Sequence, residues 1–228
     1  MREQTLGTFI DQLAARLPAP GGGAVGALHT AQAAALLAMV ARYSDGSAYD
    51  AHRTEIDGVV TAADRASARA LLLAQEDAAA FTAVTRAYRL PRGTARERAV
   101  RSAAVATALE EAAAPPVETV GLAGELVVLA ERLVPVGNRH VLGDVGAAAE
   151  TLRAAAGIAC LTVSANLAGI TAERPRDRLL AAVEDAEGVM ERAAAVAAAV
   201  RSAILGGPAG AAPPPAHRVG EPPHVPGL

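Results

Sequence analysis

The sequence predicts an all-α fold, a bundle of about six to seven long helices, on three observations. Apolar residues recur at spacings of three and four along most of the chain, and no convincing period-two strand appears. The 52% apolar content is mostly alanine, leucine and valine, with only 2% aromatics. Small side chains let helices approach closely but bury little area each, so such a core calls for long helices, tight packing and a second subunit. At 228 residues the chain suffices for one domain with a tail.

Leu6, Phe9, Ile10, Leu13 and Leu17 mark an amphipathic helix over residues 5–17, which Pro18 and Pro20 stop. Gly21, Gly22 and Gly23 then lead into an alanine-rich helix over 24–43 that Asp45-Gly46-Ser47 ends. A third pattern runs from Tyr49 to Leu90, long for a globular helix. After the turn Pro91-Arg92-Gly93, Thr94 and Glu97 have capping-box spacing at the head of a helix over 95–113. Pro115-Pro116 reads as a fresh helix start, continuing through Val117 to Leu133, with Pro135 ending it. Beyond the turn Val136-Gly137-Asn138, Asp144 is placed to cap a helix to about Ile170. Pro175 introduces the last helix, 176–205, whose Leu179, Val183, Ala186, Met190 and Ala193 keep a bundle spacing. Residues 1–205 thus form one helical domain, and 206–228, rich in Gly, Pro and Ala, read as a disordered tail.

Composition removes several function classes. A net charge of −3 and few aromatics make nucleic acid an unfavourable partner. Every basic residue is arginine, so neither a lysine Schiff base nor a lysine-bearing phosphate loop can form. Cys160 is the single cysteine and no charged-then-apolar leader precedes the first helix, which points to the cytoplasm. The apolar run 24–41 is interrupted by His29, Thr30 and Gln32 and reads as a buried helix, with no membrane partner. His29, His52 and His140 lack partners at metal-ligand spacing, so no metal is expected. There is no G-x-S-x-G elbow, which disfavours covalent catalysis by serine.

Two features remain for chemistry. Pro20-Gly21-Gly22-Gly23 opens directly onto a helix start, where free N–H groups and the helix dipole suit a carboxylate, a phosphate or a polarised carbonyl. Gly21, Gly23 and Gly26 formally match a dinucleotide fingerprint, but a proline-bounded helix precedes them where that fingerprint needs a strand. Asp77 lies in an apolar seam with Ala70, Leu73, Phe81, Val84 and Tyr88, while Glu76 is off the seam and reads as solvated. Burying the Asp77 carboxylate requires an arginine or amide partner, or a pKa raised toward neutrality, where the group can move protons. Asn138 and Asp144 read from the residues alone as a turn residue and a helix N-cap. Asn166 is a helix-interior amide that an interhelical hydrogen bond would satisfy.

These segments together resemble the cyclodeaminase/cyclohydrolase family of folate enzymes. That family includes the C-terminal domain of formiminotransferase-cyclodeaminase and stand-alone bacterial methenyltetrahydrofolate cyclohydrolases. The resemblance covers about residues 4–205 and rests on Leu17 to Val25, Asp77 to Phe81 running on to Arg92, Ala114-Pro115-Pro116, Gly137-Asn138 with Asp144, and Asn166-Leu167. It implies an all-α fold that forms a homodimer, a tetrahydrofolate derivative as substrate with no prosthetic group, and Asp77 as the catalytic proton donor and acceptor. It also implies that Pro20, Gly21, Gly22, Gly23, Asn138, Asp144 and Asn166 bind substrate. The chain departs from the family at Ala19 and Ala24, where hydroxyl residues are usual, and at Thr162-Val163 in place of Asn-Val. The alternative reading is a catalytically silent helical dimer that binds folate or serves as a scaffold.

Overall fold

A computed structural model describes residues 3–167, 169–170 and 172–206. Six α-helices follow in order: α1 (Leu6–Ala14), α2 (Gly22–Arg42), α3 (Arg53–Tyr88), α4 (Ala95–Val136), α5 (Leu142–Leu167) and α6 (Glu173–Leu205), and no strand occurs among the described residues. Short 3-10 turns at Ser47–His52 and Arg139–Val141 lead into α3 and α5. Residues 207–228, which cover nearly all of the expected tail, lie outside the described residues.

α2 occupies the middle of the bundle, packed against α3, α4 and α5, while α6 closes the far side against α4 and α5. Gly23 of α2 meets Asp77 and Arg42 pairs with Asp64, so α2 runs antiparallel to α3. Gly26 admits the Ile158 side chain of α5 so closely that a Cβ there would stand 3.1 Å from Ile158 Cγ2. Small residues thus bring the backbones of α2 and α5 together, as the alanine-rich composition requires. An 18-residue window of α2 reaches a mean hydropathy of 1.6, enough by length and composition to cross a membrane, yet 61% of that window is buried inside the bundle. The main core joins Leu37, Val40, Leu126, Leu133, Leu152 and Val200 from four helices.

Four expectations are corrected. Residues 95–136 form one helix, straight through Pro115 and Pro116, instead of two. Each proline removes a backbone donor, but both are buried, Thr119 Oγ1 donates to Pro115 O at 2.9 Å, and packing of the surrounding alanines outweighs the two lost bonds. Asp144 is the third residue of α5, so it lies in the first turn and is not the N-cap. Pro175 is likewise the third residue of α6, where a missing N–H leaves no helical bond unmade. Finally, Phe81 and Tyr88 of the expected apolar seam are each 50% exposed: α2 begins at Gly22 and does not cover them, while α4 and α5 bury only Val84 and Ala87 beyond Asp77.

Candidate active site

Asp77 is 9% exposed, one turn on along α3 from Leu73 and Ala74, which form a buried apolar cluster with Ala24 and Ala27 of α2. It faces the first turn of α2, where the N-cap position is Gly21 and no side chain from the loop caps the helix. The carboxylate from α3 lies there instead, beside the Ala24 N–H, which favours its charged form. Gly23 makes the approach possible, since a Cβ there would stand 2.7 Å from Asp77 Oδ2 and closer still to Oδ1. The sequence predicts a ligand at the free N–H groups of the glycine loop. At Gly23 that place is filled by the chain's own carboxylate, a long-range contact that sequence spacing does not carry. At Gly21 and Gly22 a Cβ would meet nothing within 4 Å, so the backbone there stays open beside the carboxylate.

Two influences oppose each other at Asp77. Burial disfavours the charged form and raises the pKa above the ordinary carboxylate range; the Ala24 N–H pulls it back in part. No ion pair relieves the burial among the described residues. Arg69, two turns back on α3, is spent on Glu76 at 2.7 Å and on Glu118 of α4. Glu76 is therefore exposed, as expected, but engaged. The Arg69 guanidinium holds the Glu118 carboxyl below the usual range, so this group is a charged strut between α3 and α4.

The other expected site residues divide between the two ends of the bundle. Pro20 precedes the glycines, half-buried, after a cis peptide from Ala19. Asn166, half-buried in the last turn of α5, lies at the same end, where Val163 joins a cluster with Val84 and Ala87 of α3. Asn138 and Asp144 lie at the other end of α2, whose 21 residues separate them from Asp77 by about 30 Å within one protomer. There Asn138 clamps the helix: its N–H donates to Ser44 Oγ at 2.8 Å, its Nδ2 to Tyr43 O at 2.6 Å, and its Oδ1 accepts from the His140 N–H at 3.0 Å. Two polar features were not anticipated. His29 Nδ1 is buried without a hydrogen-bond partner, and Arg101 lies 5.4 Å over the ring of the half-exposed Tyr88. Among the described residues no three His, Cys, Asp or Glu side chains converge as metal ligands.

Over residues 5–185 the chain matches a known family model, that of formiminotransferase-cyclodeaminase. The chain belongs to the formiminotransferase-cyclodeaminase family. Among its relatives in that family, the methenyltetrahydrofolate cyclohydrolase of Methylorubrum extorquens is 32% identical over 196 residues, 85% of this chain and 92% of that protein. The formimidoyltransferase-cyclodeaminase of Rattus norvegicus is 30% identical over 81% of this chain, which spans only 35% of that longer protein. The fold superimposes on the crystal structure of formiminotetrahydrofolate cyclodeaminase from Thermotoga maritima with a TM-score of 0.77 at 30% identity, over 90% of this chain and 98% of that one. The all-helical fold is therefore shared with that cyclodeaminase.

Proposed function

We propose that this protein is a folate one-carbon enzyme that works by proton transfer at Asp77, adding water to 5,10-methenyltetrahydrofolate or expelling ammonia from 5-formiminotetrahydrofolate. The observation that carries the reading is the buried, arginine-free carboxylate seated against Gly23 beside the open backbone of Gly21 and Gly22. Supporting it are relatives whose names state these activities.

The chemistry suits the group. The methenyl bridge between N5 and N10 is an amidinium carbon, and water attacking it must lose a proton. A carboxylate with a raised pKa is basic enough to accept that proton, and when ionised it also stabilises the cationic substrate. In cyclodeamination N10 attacks the formimino carbon on N5. The same carboxyl accepts the N10 proton and passes it to the departing nitrogen, which leaves as ammonia. Pro20 to Gly23 would let the backbone approach the folate, and Asn166 stands at the same end as a polar contact. The geometry within one protomer gives Asn138 a helix-clamping part in place of a contact to the Asp77 site.

Alanines at 19 and 24 favour the second reading, a folate-binding module without turnover, because they place no hydroxyl in the loop or in the first turn of α2. Decay of methenyltetrahydrofolate absorbance above its spontaneous hydrolysis separates the two: turnover supports the enzyme, and calorimetric binding without turnover supports the module. We further propose that the protein works as a homodimer in the cytoplasm. Exposed Leu6, Ile10 and Leu17 at the N-terminal end and Leu161 on α5 support a covering partner.

A further inference from the structure

Five aromatic residues occur in the whole chain, and two of them, Phe81 and Tyr88, stand half-exposed on the α3 face that carries Asp77. Phe81 is one turn beyond the carboxylate, about 6 Å along the axis, and Tyr88 about 16 Å. Arg101 reaches across from α4 with its guanidinium carbon 5.4 Å over the Tyr88 ring and its Nε donating to Tyr88 O at 3.2 Å. Its two Nη groups donate to nothing among the described residues. Although the chain is net negative, Arg86, Arg89, Arg92, Arg96, Arg98 and Arg101 crowd the α3–α4 turn, and none is in an ion pair among the described residues. Glu97, the one acid there, is committed to capping α4 through the Thr94 N–H.

Starting from the proton-transfer site, the surface thus offers a carboxylate, then an aromatic face, then an aromatic face crossed by an arginine, then an excess of positive charge. A ligand complementary to that order has a reacting cation, a flat aryl ring and a terminal carboxylate. We propose that the α3 face beyond Asp77 is the subsite for the aminobenzoyl-glutamate arm of a folate, with Phe81 carrying the ring and Arg101, held on Tyr88, receiving the glutamate carboxylate. This rests on the folate reading above and adds the residues that would select for the acidic arm. Ring stacking on an exposed aromatic and charge pairing with an arginine are each substantial when the partner is bound and cost little to leave open in water.

The test is calorimetric binding of 5-formyltetrahydrofolate and of its glutamate-free analogue, 5-formyltetrahydropteroate, to the parent, Phe81→Ala, Phe81→Leu and Arg101→Ala proteins, with masses checked by light scattering. Phe81 is half-exposed and Arg101 partly exposed, so folding should survive. Phe81→Ala is expected to weaken both ligands about tenfold and Phe81→Leu less, and Arg101→Ala to weaken only the glutamate-bearing one, again about tenfold. Variants that bind both ligands like the parent overturn the subsite, as does equal weakening of the two ligands by Arg101→Ala. Variants that change the oligomeric mass instead make the face an interface between copies, and the subsite falls. A parent that binds neither ligand removes the folate reading itself. If Asp77→Asn turned over like the parent while the calorimetry came out as expected, the acid's role would fall and the subsite would stand.

Discussion

At Asp77 burial and the proposed proton transfer make conflicting demands on one carboxyl group, and the conflict is measurable. Its pKa is raised by burial, so the ionised form costs stability: that cost is absent below the unfolded value of about 3.9 and appears as the pH rises through the folded value. Asp77→Asn should therefore melt about 2–4 °C above the parent at pH 7 and level with it near pH 4, while losing at least about a hundredfold in turnover. Scanning calorimetry at the two pH values checks the first, and a variant less stable than the parent at pH 7 would contradict it. If the ionised form is the base, the acid limb of the hydrolysis rate should lie above that of an ordinary aspartate. Gly23→Ala tests the seat directly. A methyl group there displaces the carboxylate, which swings on two side-chain torsions more readily than two helices part. Turnover should drop about a hundredfold with little loss of thermal stability, because alanine is the better helix former. The chain itself pointed to a carboxylate in an apolar seam. That its partner is Gly23 could not be read there, since the two are joined only by the packing of α2 on α3.

Elements were legible to the degree that local chemistry decides them. Thr94 and Glu97 form the capping box their spacing promised, with Thr94 Oγ1 accepting from the Glu97 N–H at 3.1 Å. Pro115 and Pro116 misled, because the local rule for proline is overruled by burial on both sides of α4. The α2 C-terminus depends on a contact of the same long-range kind. Ser44, fully buried, donates to Val40 O at 2.8 Å and accepts the Asn138 N–H. Ser44→Ala leaves that N–H without its acceptor and should cost about 1–3 kcal/mol in a urea titration. Because the change lies about 30 Å from Asp77, the Michaelis constant should not move. An unchanged midpoint would show the clamp to be dispensable. Asn138 and Asp144 were grouped with the glycine loop only through family resemblance, and one protomer keeps them at the opposite end of α2.

For the whole molecule, long small-residue helices bury a central α2 and still leave apolar side chains at the surface, among them Leu6, Ile10 and Leu161. A second copy is the economical cover, so light scattering should give twice the 22.9 kDa chain mass; a monomer would leave those side chains without a partner. The all-helical bundle was evident from periodicity, whereas the charge polarity of the α3–α4 turn emerged only once α2 was seen to stop short of it. The central claim is that Asp77 moves the proton in a folate one-carbon reaction. It is tested most directly by the loss of methenyltetrahydrofolate absorbance, and by ammonia release from 5-formiminotetrahydrofolate, with parent and Asp77→Asn proteins side by side. The parent should exceed the spontaneous rate with at least one substrate and the variant should fall back to it. A variant as active as its parent would contradict the claim.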